Sequence, residues 1–323
     1  MKESVFTVDA AGFEALAKEV FLFQYQHNKI YRSYADAIGC KAGTVSRLSD
    51  IPFLPIRFFK THEVTATAFE PEVYFESSGT TGTVNSRHLV KESALYTQSF
   101  TNAFELFYGP ATDFCILGLL PSYLERGHSS LVFMVDQLIR DSKHPQSGFY
   151  LHDVASLAQT LQQLEERGQK TLLIGVTYAL LDFAAQFPRE LKHTIVMETG
   201  GMKGRRRELI RAEVHDELKR NFGIPVVHSE YGMTELLSQA YSKGAGIFNT
   251  PPWMRMVLRE EEDPLSVITR PARGVLNIID LANIYSCSFI ATDDLGIVHA
   301  NGTFEVLGRR DNSDIRGCSL LAL

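Results

Sequence analysis

The stretch KTLLIGVTYALLDFAAQF, residues 170–187, decides the fold class. Its first half is a short, continuous apolar run, which is typical of a strand buried on both faces. Its second half has the apolar spacing of a helix that packs one face against a core. A buried strand followed directly by an amphipathic helix predicts parallel strands joined by right-handed crossovers.

The same alternation continues on both sides of this stretch. Further strands are predicted at 71–75 and in the segments DFCILGLL, HTIVMETGG and IPVVHSEYG. Helices are predicted at 93–107, at 129–139, at 151–168 and in RRRELIRAEVHDELKRNFG. We therefore expect an α/β protein with mostly parallel sheets and flanking helices.

The two ends of the chain have a different character. Residues 1–70 read as a helical lead-in, with Phe13, Leu16, Val20 and Phe23 at helical spacing. After about residue 245, short strands with turn residues between them predict a small β-rich subdomain. The predicted organisation is a lead-in at 1–70, an α/β nucleotide-binding core at 71–245, and a β-rich subdomain at 246–323 that ends in a short tail with Cys318.

The bulk properties exclude several classes of protein. The chain has 323 residues, a net charge of -6 and a pI near 5.9, so nucleic acid or an anionic membrane surface is not expected as the main partner. No signal-peptide core and no run of roughly 18 apolar residues is present, and we expect no membrane span and a cytoplasmic location. The cysteines at 40, 115, 287 and 318 have no C-x-x-C spacing, which excludes an ordinary zinc ribbon.

The segment FESSGTTGTVNSRHLV, residues 75–90, is the strongest candidate for a binding loop. It is neither a Walker P-loop nor a Rossmann fingerprint, but backbone N–H groups in such a Gly-flanked run of hydroxyls can form a nest for an anion. The alternative is a solvated Ser/Thr turn. With 198–204 and 229–235, the loop 76–88 is expected at the carboxyl ends of strands, where ligands of α/β sheets bind. This convergence predicts an enzyme.

Four motifs occur in order along the chain: SSGTTG at 77–82, YGMTE at 231–235, TDDLG at 292–296 and GRRDNSDIRG at 308–317. Together they resemble the motifs of the acyl-adenylate-forming superfamily, over about residues 70–318. The branch they resemble most is that of the LuxE-like acyl-protein synthetases, followed by phenylacetate–CoA ligase-like enzymes. The resemblance implies the large-domain architecture of that superfamily, apparently without its C-terminal lid domain, whose lysine has no counterpart here.

The resemblance also implies roles for individual residues. ATP phosphates would be held by the loop Ser77, Ser78, Gly79, Thr80, Thr81 and Gly82. Adenine would lie between Tyr231 and the backbone of Gly200 and Gly201, with Gly232 close by. Thr234 would bind the α-phosphate and Glu235 would bind Mg2+, a cation that prefers carboxylate oxygen. Asp294 would take the ribose hydroxyls, Arg309 would reach ribose or phosphate, and the surroundings of Asp311 would form the hinge.

Each role has a structural alternative. Tyr231 could be a core residue, and Asp294 could belong to a hairpin turn, because Asp-Asp-x-Gly is good turn sequence. Arg309 could lie in an exposed charge cluster, and Glu235 could stand at a helix start. His88 and His128 read as structural residues.

The resemblance implies ATP- and Mg2+-dependent activation of a carboxylic acid, expected to be a fatty acid, as an acyl-adenylate. The acyl group would pass to the thiol of Cys318 and then to a partner protein such as an acyl reductase or another acyl acceptor. Three alternatives stay open: a stand-alone acyl-CoA or aryl-CoA ligase, an acyltransferase without adenylation, and a non-catalytic nucleotide-binding subunit.

Overall fold

A computed structural model describes residues 1–77, 84–121, 127–200 and 209–310. Within these ranges the helices are α1 (Lys2–Val5), α2 (Phe13–His27), α3 (Lys29–Ala37), α4 (Phe58–Thr61), α5 (Ser93–Tyr108), α6 (Ser130–Ser142), α7 (Val154–Glu166), α8 (Thr177–Gln186) and α9 (Arg211–Phe222). Short 3-10 turns cover Ala42–Thr44, Leu48–Asp50 and Ala111–Asp113. The helices predicted from the sequence between 93 and 223 are all confirmed.

The strands of the described residues are β1 (Leu54–Pro55), β2 (Val73–Glu76), β3 (Arg87–Val90), β4 (Cys115–Leu119), β5 (Gly148–Phe149), β6 (Thr171–Gly175), β7 (Thr194–Glu198), β8 (His228–Tyr231), β9 (Ala240–Ser242), β10 (Ile247–Asn249), β11 (Met254–Arg259), β12 (Val267–Ile268), β13 (Ala272–Asp280), β14 (Phe289–Val298) and β15 (Phe304–Arg309). Thirteen of them form one sheet, in the order β12-β11-β13-β14-β15-β10-β9-β8-β7-β6-β4-β5, with β1 paired to β14.

The sheet has a parallel and an antiparallel part. Strands β5, β4, β6, β7 and β8 pair in parallel, and helices connect them. From β9 onward the neighbours pair antiparallel, through β10, β15, β14, β13, β11 and β12. This arrangement confirms the predicted α/β class with a β-rich part toward the C-terminus.

Each apolar strand of the parallel part contributes to two hydrophobic cores. On β4, Ile116 packs in one core, whereas Cys115 and Leu117 pack in the other. Successive side chains of a strand point to opposite faces, so helices must cover both faces of this part of the sheet. The continuous apolar runs in the sequence reflect this double burial. None of the helices in the described ranges is long and apolar enough to span a membrane.

One predicted element lies in a different place. The strand before the Gly- and hydroxyl-rich loop was expected in the parallel sheet, but β2 pairs antiparallel with β3 in a separate two-stranded sheet. The segment between these two strands therefore does not follow a strand of the main sheet. A strand sequence specifies its pleat and burial, but it does not specify its pairing partner, which tertiary packing decides.

Candidate functional site

Tyr231, Asp294 and Arg309 come from three of the four motifs and form one hydrogen-bonded cluster. The Tyr231 hydroxyl donates to Asp294 Oδ2 over 2.9 Å, and Arg309 Nε donates to Asp294 Oδ1 over 2.9 Å. The side chain of Asp294 is 8% exposed and that of Arg309 is 20% exposed. Because little water reaches this carboxylate, its charge-assisted bond to the guanidinium is stronger than a surface ion pair.

Strand register creates this cluster. Asp294 on β14 lies directly opposite Arg309 on β15, and Tyr231 ends β8 nearby. The interpretation of TDDLG as a hairpin turn is wrong, because residues 292–296 lie within β14. The glycine of this motif allows β14 and β15 to approach closely where their register shifts. A Cβ on Gly296 would lie 2.5 Å from the carbonyl oxygen of Glu305. The interpretation of Arg309 as part of an exposed cluster is wrong as well.

Glu198, at the end of β7, is a buried carboxylate that sequence reasoning missed. Its Oε2 accepts a hydrogen bond from Gly200 N over 2.7 Å and one from Thr177 Oγ1 over 3.2 Å. Its Oε1 lies 3.6 Å from Arg211 Nε and 3.6 Å from His215 Nε2. Glu198 therefore fixes the backbone at Gly200, which is the predicted adenine-binding turn. The only signal in the sequence was an acidic residue at the last position of a buried strand.

Glu198 is also a source of stability that depends on pH. Burial opposes its ionisation, but the hydrogen bond with His215, the charge of Arg211 and the hydrogen bond with Ser229 outweigh burial and lower the pKa of Glu198 to about 2. A carboxylate with a depressed pKa stabilises the fold above its unfolded-state pKa. That contribution is lost as the pH falls through about 4.5 toward 2.

We expect Glu198→Gln to lower the free energy of unfolding by about 3 kcal/mol at pH 7, because the variant lacks the charge whose partners lower the pKa of Glu198 from 4.5 to about 2. The difference from the wild type should fall to less than about half of that at pH 3. Urea denaturation at both pH values measures it. Glu166→Gln, at an exposed position on α7, is the control and should change little at either pH. An equal loss at pH 7 and pH 3 would contradict this assignment.

His88 joins the hairpin to the YGMTE segment. Its Nδ1–H donates to the Thr234 carbonyl over 2.8 Å, and its Nε2 lies 3.0 Å from Asn283 Oδ1. Asn283 in turn donates from Nδ2 to the Glu235 carbonyl over 2.8 Å. His88 thus holds β3 against the backbone of Thr234 and Glu235. Through this contact the strand that follows the Gly- and hydroxyl-rich segment meets the candidate loop 229–235.

We expect His88→Ala to lower the free energy of unfolding by about 3 kcal/mol, because it removes the buried hydrogen bond to the Thr234 carbonyl and leaves a cavity. Urea denaturation at pH 7 measures the loss. His128→Ala is the matched control: His128 is exposed and stacks on Tyr74 with ring centroids 4.1 Å apart. The free energy of unfolding of His128→Ala should fall by less than about 1 kcal/mol. Equal losses in the two variants would mean that His88 does not couple the two segments.

Of the remaining residues that the sequence predicts for the site, the structure describes some and not others. Ser77 is 5% exposed, and its Oγ accepts a hydrogen bond from Ser86 N over 2.9 Å. Gly232 is exposed, Thr234 is half-buried and Glu235 is fully buried. The residues outside the described ranges are Ser78, Gly79, Thr80, Thr81, Gly82, Gly201, Asp311 and Cys318.

Among the described residues, no cluster of three or more His, Cys, Asp or Glu side chains is arranged to hold a metal ion by itself. Mg2+ commonly binds through one or two carboxylates together with substrate phosphates and water. Both carboxylate oxygens of Asp294 already accept hydrogen bonds. Glu235 is the carboxylate of the YGMTE segment, and a single carboxylate would fit an ion that is held mainly by phosphate.

Comparison with known proteins identifies the family. The family described as "Acyl-protein synthetase, LuxE" matches residues 12–322. The long-chain-fatty-acid–luciferin-component ligase of Aliivibrio fischeri is 22% identical over 338 residues, which cover 95% of this chain and 86% of that protein.

Two solved structures share the fold. A 2-hydroxyisobutyryl-CoA ligase in complex with 2-HIB-AMP and CoA superposes with a TM-score of 0.67 at 14% identity, over 97% of this chain and 71% of that one. ATP-bound MatB from Rhodopseudomonas palustris superposes with a TM-score of 0.56 at 18% identity, over 76% of this chain; the match spans half of MatB, 50% of its length. Together with the family match, they confirm the predicted architecture and the predicted ligase class. The chain belongs to the LuxE family of acyl-protein synthetases.

Proposed function

We propose that this chain activates a carboxylic acid with ATP and Mg2+ as an acyl-adenylate and passes the acyl group to the thiol of Cys318. The observation that carries the proposal is the cluster of Tyr231, Asp294 and Arg309. Three residues from separate motifs meet around one carboxylate at the end of β8. Each oxygen of this buried carboxylate keeps a lone pair beside the one that Tyr231 or Arg309 uses, so the two oxygens can accept from the two hydroxyl groups of a ribose.

The first step needs little proton transfer. A carboxylate oxygen of the substrate attacks the α-phosphorus of ATP, and the bond to the bridging oxygen of pyrophosphate breaks with its electron pair. Catalysis then rests on alignment and on stabilising negative charge. Thr234 would donate to the α-phosphate, and the loop from Ser77 to Gly82 would hold the outer phosphates. Glu235 would hold Mg2+, which neutralises phosphate charge when bound.

The second step needs a thiolate. The sulfur of Cys318, after losing its proton, attacks the acyl carbon, and AMP leaves with the oxygen that bridged carbon and phosphorus. Burial raises the pKa of Cys115 to about 11 and of Cys287 to about 12, and it also raises the pKa of the half-buried Cys40. Because the thiolate is the reactive form, these three cysteines are poor acceptors. This supports Cys318 in that role.

The name of the Aliivibrio fischeri relative, a ligase of a long-chain fatty acid and a luciferin component, supports a fatty acid as the substrate class and a protein as the next acceptor. An enzyme-bound thioester also requires an acceptor for its acyl group, and we propose a partner protein such as an acyl reductase.

Acid-dependent exchange of labelled pyrophosphate into ATP tests the first step. We expect exchange that requires both Mg2+ and a carboxylic acid, because formation of the acyl-adenylate is reversible. Exchange that is accompanied by acyl transfer to free coenzyme A, with no label on the protein, would favour the CoA-ligase alternative. The absence of exchange across a broad panel of acids would contradict the proposal.

A further inference from the structure

Glu230 is a carboxyl group that the proposed mechanism does not use. It precedes Tyr231 on β8, and successive residues of a strand point to opposite faces. Glu230 pairs in register with Tyr241 on β9, and in its ionised form it adds to the burial that raises the pKa of Tyr96 and of Tyr108 on α5. Within the described part of the chain its side chain has neither a hydrogen-bond partner nor an ion-pair partner. It is also partly accessible to solvent.

Gln239 presents a second polar group without a partner. The Tyr96 hydroxyl donates to the Ser130 carbonyl over 3.0 Å, so it must accept the 3.2 Å hydrogen bond from Gln239 Nε2. This contact fixes the orientation of the amide. Gln239 is 3% exposed, and its Oε1 is buried with no hydrogen bond from the described residues. A buried carbonyl oxygen without a donor destabilises the fold, so a ligand that supplies the donor would recover this free energy.

Both groups lie against Gly232. A Cβ at this position would lie 2.5 Å from Glu230 Oε1 and 3.4 Å from Gln239 Cγ, so the two side chains border the same backbone. Asp280 holds the segment before Gln239 in place, because its Oδ2 accepts hydrogen bonds from Leu237 N and Ser238 N over 2.7 and 3.1 Å. The Glu230–Gln239 pair therefore has a rigid support on one side.

The pair and the proposed nucleotide residues lie on opposite faces of β8. Tyr231, with its partners Asp294 and Arg309, lies on the opposite face of β8 from Glu230. Gly232 begins the loop that leads to Thr234, the predicted α-phosphate ligand. If the nucleotide lies on the Tyr231 side, the acid must approach Thr234 from the other side, past the Glu230–Gln239 pair.

The chemistry of the pair selects a group that both donates and accepts. Burial and the negative charge of Glu198 raise the pKa of Glu230 to about 8, so near neutral pH this carboxyl is mostly protonated and can donate its O–H. Gln239 Oε1 can only accept. A hydroxyl group satisfies both, whereas a plain alkyl chain would leave both polar groups without partners.

We propose that Glu230 and Gln239 bind a hydroxyl group on the acyl chain, so that the preferred substrate is a hydroxylated carboxylic acid. The inference rests on the proposed function, since it names the class of acid that the same site would activate.

Two readouts separate the inference from the function on which it rests. Isothermal titration in the presence of AMP gives the affinity for straight-chain acids of equal length, either plain or hydroxylated at successive carbons. Pyrophosphate exchange with the same acids gives activation. The variants are Glu230→Leu and Gln239→Met. Glu230→Gln is added because its amide keeps a hydrogen-bond donor in a side chain of the same shape. Gln162→Met, at an exposed position of α7, is the matched control.

We expect the wild type to bind one hydroxylated acid at least about tenfold more tightly than the plain acid. Glu230→Leu and Gln239→Met should abolish this preference, and Glu230→Gln and Gln162→Met should keep it. Equal binding of the plain acid by the wild type would overturn the inference, and so would tighter binding of the corresponding amino acid. A binding preference without exchange for any acid would support the polar site while contradicting adenylation.

Discussion

Replacing Asp294 with asparagine is expected to lower kcat/KM for ATP in acid-dependent pyrophosphate exchange by about 100-fold or more. The change removes the charge that pairs with Arg309 and one of the two acceptor oxygens that a ribose would use. Hydrogen bonds to charged groups contribute about 1.5–3 kcal/mol each, so the loss of two accounts for a change of this size. Arg309, with a side chain that is 20% exposed, would also lose its ion pair with residue 294 in a partly buried setting.

Asp293→Asn is the matched control, because it changes the neighbouring residue on the other face of β14. Asp293 Oδ2 lies 3.6 Å from Arg57 Nη2, and the side chain of that arginine is 66% exposed. A surface ion pair of this kind contributes little, so kcat/KM should stay within about threefold of the wild type. Equal effects of the two substitutions would contradict a nucleotide role for Asp294. Unfolding curves of both variants check that the fold is retained.

The second large effect is expected from Cys318→Ser, which should abolish the acyl label on the protein. A serine hydroxyl is a weak nucleophile unless a base activates it, so the acyl-adenylate would accumulate or hydrolyse. Pyrophosphate exchange should persist within about threefold, since the first step needs no thiol. Incubation with ATP, Mg2+ and a radiolabelled acid, followed by denaturing electrophoresis with and without hydroxylamine, measures the label.

Cys40→Ser is the control for the thiol. Among the three cysteines that the structure describes, Cys40 is the half-buried one, whereas Cys115 and Cys287 are buried. The label should remain in Cys40→Ser and should be removed by hydroxylamine, which cleaves thioesters. If the label persists in Cys318→Ser, another residue accepts the acyl group and the proposed second step is wrong.

The parallel part of the fold was predictable from the sequence because each of its strands is buried on both faces. Ile116, Leu172 and Ile174 pack in one core, whereas Leu117 and Leu173 pack in the other, so the strands appear as unbroken apolar runs. The pairing of β2 with β3 was not predictable in this way. The segment before Ser77 has the composition of a strand, but no local signal states that its partner is β3 and not a strand of the main sheet.

The candidate site was predictable in its members but not in its contacts. The motifs named Tyr231, Asp294 and Arg309 as residues of one site. Only the register of β14 against β15 brings the last two face to face. Glu198 and Gln239 were missed because a single polar residue in an apolar segment has no distinctive spacing. Its importance lies in partners that are distant in the chain, such as Arg211 for Glu198 and Tyr96 for Gln239.

The measurement that tests the central claim most directly uses a carboxylic acid labelled with 18O in both carboxylate oxygens. If the acid is activated as an acyl-adenylate, one labelled oxygen bridges carbon and phosphorus and leaves with AMP when the thiol attacks. Mass spectrometry of the nucleotide products should then find AMP that carries one 18O atom for each acyl group transferred. Unlabelled AMP, or ADP and phosphate as the products, would contradict acyl-adenylate formation by this chain.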